Sequence, residues 1–199
     1  MSRYLNNIMP STITIIVSAA LFLSVGCART LDSSQNQAQQ ANAPTLGNYP
    51  NLRLQAIQLT DATLRGDYET VQKLTYPKLI EVGGGAERFR NTVKETVKEI
   101  ESKGIRIESL SVGEPQDFME ADQRIYAIVP TKMKLRVPEG LLVGDAFLIG
   151  ISEDKGVNWT FVDSTGAANK ELRKMLFPTV ADKLRIPEQK RPVLQKEPT

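Results

Sequence analysis

The apolar residues of this 199-residue chain change their spacing near Gly104, and this change constrains the fold more than any other feature. Across residues 86–103 they recur every three or four positions, as on the buried face of a helix. Across residues 124–137 they alternate with polar residues, as in a strand with one buried and one wet face. Helices followed by a meander of antiparallel strands predict an α+β domain with the helices packed on one face of the sheet.

The same patterns, with glycine and proline as breakers, predict the other elements of a single domain over residues 49–185. Pro130 is expected to break the strand over 124–137. The stretch 141–152 is apolar at nearly every position, which predicts a central strand with both faces covered. Helices are predicted over 51–65, 68–75, 77–82, 86–103 and 168–177, and strands over 105–112, 124–137, 141–152 and 157–163.

Composition excludes several classes of function. Hydrophobic residues make up 41% and charged residues 24% of the chain, so it can bury a core. The net charge of +2 is too small to favour a nucleic-acid partner. There is no histidine and only one cysteine, which excludes an internal disulfide and a zinc site built from several thiolates. We therefore predict no metal and no cofactor.

The N-terminus carries a pattern typical of exported proteins. Arg3 supplies positive charge, and residues 13–25 form an uncharged apolar run shorter than the roughly 20 residues that span a bilayer. The sequence Leu23-Ser24-Val25-Gly26-Cys27 resembles the lipobox of bacterial lipoproteins, although that family prefers leucine where Ser24 stands. The resemblance implies a signal peptide over residues 1–26 and a lipid on Cys27. An ordinary secretory signal and an uncleaved membrane anchor stay open as alternatives.

The two ends of the chain are predicted to lie outside the domain. Residues 27–48 read as a lipid anchor and a flexible tether, because they are polar and lack apolar periodicity. Residues 186–199 read as an extended, mildly basic tail, either solvated or in contact with an anionic surface. For a lipoprotein, Ala28 after the cysteine implies the outer membrane, facing the periplasm, if the host is Gram-negative.

The order of elements resembles the nuclear transport factor 2-like superfamily, also called SnoaL-like. The resemblance rests on the opening helix ending in Leu64-Arg65-Gly66-Asp67 and on the strand Trp159-Thr160-Phe161-Val162-Asp163. It covers the whole predicted domain and implies a curved sheet wrapped around helices as a cone. Members include ketosteroid isomerase-like enzymes, cyclases, dehydratases and non-catalytic modules, so the fold alone leaves the function open.

One local motif has a clear structural meaning. Ser152, Asp154, Gly156 and Trp159 match the Asp-box pattern S-x-D-x-G-x-x-W. The aspartate can accept hydrogen bonds from turn amides, the glycine can take a positive φ, and the tryptophan can pack under the hairpin. Sialidase propellers carry several copies, but one copy in a chain of this length predicts only a hairpin.

Three residues are candidates for ligand binding. Asp145 shares strand parity with apolar residues expected to face inward, where it could act as an acid–base group in the manner of the resembled isomerases. Alternatively, Gly144 allows a bulge that turns Asp145 outwards to the rim. Tyr126 and Trp159 could line the pocket, or they could simply fill the core. Asp163 is expected to cap the following turn.

These observations favour a lipid-anchored, non-enzymatic module that binds a small apolar ligand or an envelope protein, with no catalytic residue assigned. The absence of histidine and of a paired inward carboxylate supports this choice. The alternative is an isomerase, cyclase or dehydratase that uses Asp145 as its acid–base group. A third alternative is a structural envelope protein that acts through its basic tail. A ridge formed by Lys132, Lys134 and Arg136 predicts a sheet face that could pair two copies of the chain.

Overall fold

The computed structural model of the protein describes residues 49–195. The predicted signal peptide, Cys27 and the tether lie outside the described residues. Within this range, no helix is both long enough and apolar enough to cross a bilayer.

Four helices precede the sheet, and their ends follow from the capping residues. Gly66 takes a left-handed conformation, with φ 68°, and closes the first helix as glycine does at low cost. The carboxylate of Asp67 then accepts a hydrogen bond from the Thr70 N–H over 3.1 Å and begins the second. The helices are α1 (Pro50–Arg65), α2 (Tyr68–Leu74), α3 (Pro77–Val82) and α4 (Ala86–Ser102).

The rest of the domain is built on a six-stranded, curved, open antiparallel sheet. Its strands are β1 (Arg106–Val112), β2 (Gln116–Ala121), β3 (Arg124–Val137), β4 (Gly140–Ser152), β5 (Thr160–Asp163) and β6 (Val193–Gln195). The long hairpin of β3 and β4 forms the centre, paired in unbroken register from Ile125–Ser152 to Val137–Gly140. β1 and β2 share the outer edge of β3, while β5 and β6 share the outer edge of β4.

Pro130 does not break β3, so the predicted break is wrong. The Gly113 N–H donates to the Pro130 carbonyl over 2.8 Å, and in a strand the N–H and C=O of one residue point to the same side. The missing N–H of Pro130 therefore faces the outer edge of β3. That edge changes partner here, because β2 pairs as far as Ile128 and β1 begins at Thr131. The proline thus lies where no ladder bond is lost.

The half of the hairpin that contains Ile125–Val129 is covered on both faces. On one face, Ala127, Val129 and Leu148 pack against α1 through Leu52 and Ala56. On the opposite face, strand residues pack against the helices that follow β5, which are α5 (Ser164–Ala168) and α6 (Lys170–Leu176). The prediction that helices cover only one face is wrong for this half, since the last helix of the domain returns across the other face.

Most predicted elements are confirmed to within one or two residues at each end. Three features differ in substance. β2 was not predicted, and residues 168–177 do not form one helix, because Asn169 ends α5 and caps α6 by accepting a hydrogen bond from the Leu172 N–H over 2.9 Å. The strand predicted over 157–163 begins only at Thr160, because Val157 and Asn158 belong to the Asp-box turn.

The segment predicted to be a tail outside the domain lies against the sheet. Residues 187–192 have no regular secondary structure, and Val193–Gln195 pair with Leu141–Val143 as strand β6. Gly144 makes room for this path, because a Cβ there would lie 3.2 Å from Cγ of Pro192. The folded unit therefore runs to at least Gln195.

Candidate functional site

A cavity of about 420 Å³ lies between the first helices and the sheet. The register explains which strand residues face it. Thr131, Ala146, Leu148 and Asp163 share one face of the sheet, because Thr131 pairs with Ala146 and Leu148 pairs with Asp163. Apolar side chains predominate in the lining: Leu59, Val71, Leu79, Phe89, Val93, Leu110, Met133, Ala146, Phe147, Leu148, Phe161 and Pro192.

The cavity borders a gap in the outer edge of β4. β5 pairs with Leu148–Ile151 and β6 pairs with Leu141–Val143, so in the described part of the chain residues 144–147 have no strand partner on this side. Residues 163–165 line the cavity at one end of the gap, and residues 189–192 line it at the other. We call residues 189–192 the strap, because they cross this gap on the way to β6.

Asp163 is the carboxyl group that the fold places in the wall of this cavity. It ends β5 on the same face as Phe161 and caps α5, where its Oδ1 accepts a hydrogen bond from the Gly166 N–H over 2.9 Å. Its second oxygen, Oδ2, is buried and has no hydrogen-bond partner among the described residues. Such an unsatisfied buried oxygen is costly, and in native proteins it is rare enough to need an explanation.

The protonation of Asp163 follows from this position. Burial raises the pKa of Asp163 to about 7, against the hydrogen bonds from the backbone of Gly166 and Thr165, which lower it. Desolvation disfavours the charged form, and no cation among residues 49–195 contributes to lowering the pKa. A carboxyl group with a pKa near 7 changes charge in the range where a proton donor or acceptor is useful.

The structure places Asp145 at the rim rather than inside. It pairs with Lys132 in register, and the two side chains approach to 3.9 Å between Nζ and Oδ1. The Asp145 side chain is 66% exposed. The expectation of a position near the rim is confirmed, whereas an inward orientation is wrong, and the β3–β4 register shows no bulge there. Asp145 does share a face with Phe147 and Ile149, but the C-terminal helices that cover those two residues do not cover Asp145.

Tyr126 and Trp159 do not meet Asp145 in a common pocket. Tyr126 is buried on the face covered by the C-terminal helices and packs edge-on against Phe177, with 5.9 Å between ring centroids. Trp159 is buried on the α1 side and packs against Tyr49 at 5.6 Å. Neither lines the cavity. The alternative in which both aromatic residues fill the core agrees with their positions.

The Asp-box hairpin has the predicted local structure. Asp154 accepts hydrogen bonds from the backbone and side-chain nitrogens of Asn158 over 2.8 and 2.7 Å, and from the Ser152 hydroxyl over 2.9 Å. Gly156 has φ 88°, and the Trp159 indole donates to its carbonyl over 3.0 Å. Hydrogen bonds from Asn158 hold the pKa of Asp154 below its ordinary value. The hairpin interpretation is confirmed.

Within residues 49–195, no cluster of three or more aspartate, glutamate, cysteine or histidine side chains is arranged to hold a metal ion. No protein-family model matches this chain. None of the curated proteins compared with it shows a significant match. The site therefore has to be interpreted from its own chemistry.

Sequence reasoning identified Asp163 as a turn cap but missed its place in the cavity. One signal was available: Asp163 shares strand parity with Phe161, an aromatic residue expected in the core. The role of Asp163 as a cap predicts an exposed side chain and so outweighs this signal, because capping aspartates usually lie at exposed helix ends. Here the cap uses one oxygen and leaves the other buried.

Proposed function

We propose that this protein is a lipid-anchored module of the cell envelope that binds a small, largely apolar ligand in the cavity between its helices and its sheet. The cavity carries the proposal. Its volume of about 420 Å³ falls in the range of small-molecule sites, and an apolar lining with a few polar groups is what such sites share. A domain used only as a scaffold gains stability by filling such a space.

The arrangement of helices and a curved antiparallel sheet supports the proposal that the domain belongs to the nuclear transport factor 2-like superfamily. In that interpretation, the cavity is the interior of the cone. Function does not follow from the fold, so the argument for binding rests on the cavity itself.

A cavity-filling variant tests the binding function. Ala146 lines the cavity, so Ala146→Phe places a ring inside it. We expect the purified protein to enhance the fluorescence of N-phenyl-naphthylamine, an apolar probe, and Ala146→Phe to lose at least about 90% of this enhancement. Ala168→Phe is the matched control, because Ala168 is exposed at the end of α5. Equal enhancement by all three proteins, with unchanged circular dichroism, would refute binding in this cavity.

The anchoring proposal has its own test. Cells fed labelled palmitate should label the wild-type protein, and Cys27→Ser should be unlabelled and should leave the membrane fraction. If Cys27→Ser is labelled, or the wild type is not, the proposal of a lipid anchor fails. Ligand binding by the domain would be unaffected by that result.

A second candidate function is acid–base catalysis, with Asp163 in the role that the sequence assigned to Asp145. The observation in its favour is a buried carboxyl group with a pKa of about 7 in the wall of an apolar cavity. Incubation of a cyclic apolar ketone such as tetralone in D₂O would reveal the activity. Deuterium should enter next to the carbonyl with wild-type protein above about pH 7, and not with Asp163→Asn.

Pairing of two copies through the sheet face stays a prediction. Of the proposed ridge, Lys132 lies near Asp145 and Arg136 contacts Glu108 at 2.9 Å. These ion pairs are exposed, so a partner could replace them at low cost. Sedimentation of the wild type and a Lys134→Glu variant would test the prediction, since reversal of charge on the ridge should alter any dimer formed there.

A further inference from the structure

We infer that the ligand of this cavity carries a hydrogen-bond donor, such as a hydroxyl group on an apolar body, and that this donor binds Oδ2 of Asp163. The inference rests on the proposed binding function and adds the polarity of the ligand. It follows from the threonines on the helical wall, whose hydroxyl hydrogens are already used, and from the oxygen of Asp163 that lacks a partner among the described residues.

The threonines on the helical side of the cavity offer acceptors rather than donors. Each hydroxyl group lies within hydrogen-bond distance of a carbonyl one turn earlier in its own helix, and donation to that carbonyl uses its only hydrogen. Thr60 donates to Ile57 over 2.9 Å, Thr63 to Leu59 over 2.9 Å, Thr75 to Val71 over 2.7 Å and Thr96 to Thr92 over 2.9 Å. Lone pairs remain on the oxygens of Thr60, Thr63 and Thr75, so the polar spots on these walls complement a donor.

The unpaired oxygen of Asp163 is a buried carboxyl acceptor in the wall of the cavity. Oδ1 is occupied by the Gly166 N–H, and Oδ2 has no partner among the described residues. Because Oδ2 has almost no exposed surface, a ligand reaches it only if the carboxyl group turns towards the cavity. The terminal torsion of aspartate has a broad energy minimum, and such a turn also moves Oδ1 relative to the Gly166 N–H. A donor arriving from within the cavity then replaces a buried, unsatisfied oxygen with a hydrogen bond.

The charges around the cavity leave this role to Asp163. The other charged lining residues are Asp145, Lys190 and Arg191. Asp145 lies beside Lys132 on an exposed strand face, and Lys190 and Arg191 are exposed on the strap. None of them contributes to the raised pKa of Asp163. A basic strap also disfavours the passage of a cationic ligand, so a neutral donor such as a hydroxyl group fits the site better than an ammonium group.

A matched pair of probes tests the inference. Naphthol and its methyl ether share one apolar body, but only naphthol donates a hydrogen bond. At about pH 8, where Asp163 is ionised, we expect the wild type to bind naphthol roughly tenfold more tightly than the ether, as measured by probe fluorescence. At about pH 5 the protonated carboxyl group can itself donate to the ether, so the preference should fall to less than about threefold.

Asp163→Asn is the decisive variant. Asparagine keeps an oxygen for the Gly166 cap but puts an NH₂ group in place of Oδ2, so the acceptor becomes a donor. We expect it to bind both probes with affinities equal to within about twofold at both pH values. Asp182→Asn is the control, because Asp182 is exposed and does not line the cavity, and it should keep the roughly tenfold preference.

The outcomes separate the two proposals. If wild type binds both probes equally at about pH 8, and Ala146→Phe abolishes both interactions, the cavity binds ligands but the inference about the donor is wrong. If Asp163→Asn keeps the preference for naphthol, the inference is also wrong. If neither probe binds the wild type, both the binding function and the inference fail.

Discussion

Two turns of this domain are each built around one aspartate, and their environments are opposite. In the Asp-box hairpin, Asp154 is exposed, and both of its oxygens accept hydrogen bonds. At the start of α5, Asp163 uses one oxygen for the cap and buries the other without a partner. The pKa of Asp154 is accordingly lowered by the bonds from Asn158, whereas burial raises the pKa of Asp163 to about 7.

Asp154 therefore stabilises the fold, whereas the buried, unpartnered oxygen of Asp163 destabilises it. Asp154 stabilises its turn by satisfying donors that the chain itself supplies. An asparagine at position 163 could cap α5 equally well and would not bury a charge. A residue that lowers stability, at a position where another residue would not, is the usual signature of a functional site.

Trp159→Ala should destabilise the domain most. The ring is fully buried, packs against Tyr49 and donates to the Gly156 carbonyl, so truncation leaves a large cavity beneath the Asp-box turn. We expect the free energy of unfolding to fall by about 3–5 kcal/mol in urea denaturation. Trp159→Phe should lose roughly half as much, since it keeps most of the buried area. A midpoint equal to that of the wild type would contradict the buried position of Trp159.

Asp163→Asn should stabilise the domain, and only at high pH. A carboxyl group whose pKa is about 7 when folded and about 3.9 when unfolded holds its proton more tightly in the folded state. Stability therefore falls as the pH rises from about 4 to 7, by up to about 4 kcal/mol. Asparagine avoids this loss, so the gain at about pH 8 should be about 2–4 kcal/mol and close to zero at about pH 4.

A companion variant separates charge from capping in that result. Asp163→Ala also removes the buried charge but loses the hydrogen bond to Gly166, so its gain at about pH 8 should be smaller by about 1 kcal/mol. Denaturation of the three proteins across the pH range gives both quantities. A pH-independent difference between wild type and Asp163→Asn would contradict the raised pKa.

Gly156→Ala should destabilise the hairpin by about 1–3 kcal/mol. Gly156 has φ 88°, and a Cβ there would lie 2.2 Å from Cδ1 of Tyr49. Gly66→Ala is the control, because Gly66 also has a positive φ, 68°, but the atom nearest to the added carbon would lie 3.7 Å away, at ordinary contact distance. It should show only the backbone cost of about 1 kcal/mol in thermal unfolding. Equal losses in the two variants would show that Tyr49 moves away without cost.

Asp154→Ala should have the smallest effect, a loss of about 1–2 kcal/mol at neutral pH, because the Asn158 groups that it releases are exposed and can bind water, and only the buried Ser152 hydroxyl loses its acceptor. The lowered pKa of Asp154 means that its contribution is present above about pH 4 and disappears as the pH falls through the folded value. The pH dependence is therefore opposite to that of Asp163. Parallel urea titrations of both variants would show the opposite slopes, and slopes of the same sign would contradict the comparison.

The sequence alone predicts those parts of this protein that depend on interactions between residues close together in the chain. The change from helical to alternating spacing near Gly104 predicts α4 and β3 correctly, because the spacing of the apolar residues in each element shows which of its sides is buried. The Asp-box turn is likewise predictable, since Ser152, Asp154 and Gly156 make its hydrogen bonds within a few residues of one another.

Only the tertiary structure decides which face of each strand is covered, and this determines the site. Parity correctly groups Asp145 with Phe147 and Ile149, but the C-terminal helices cover the last two and leave Asp145 in solvent. The cavity depends in the same way on where β6 returns to β4, which leaves the gap beside Asp163. Burial is a property of distant segments packed together, and desolvation sets the pKa of Asp163. A local pattern can therefore identify this aspartate as a cap, while its chemistry depends on the packing of the whole domain.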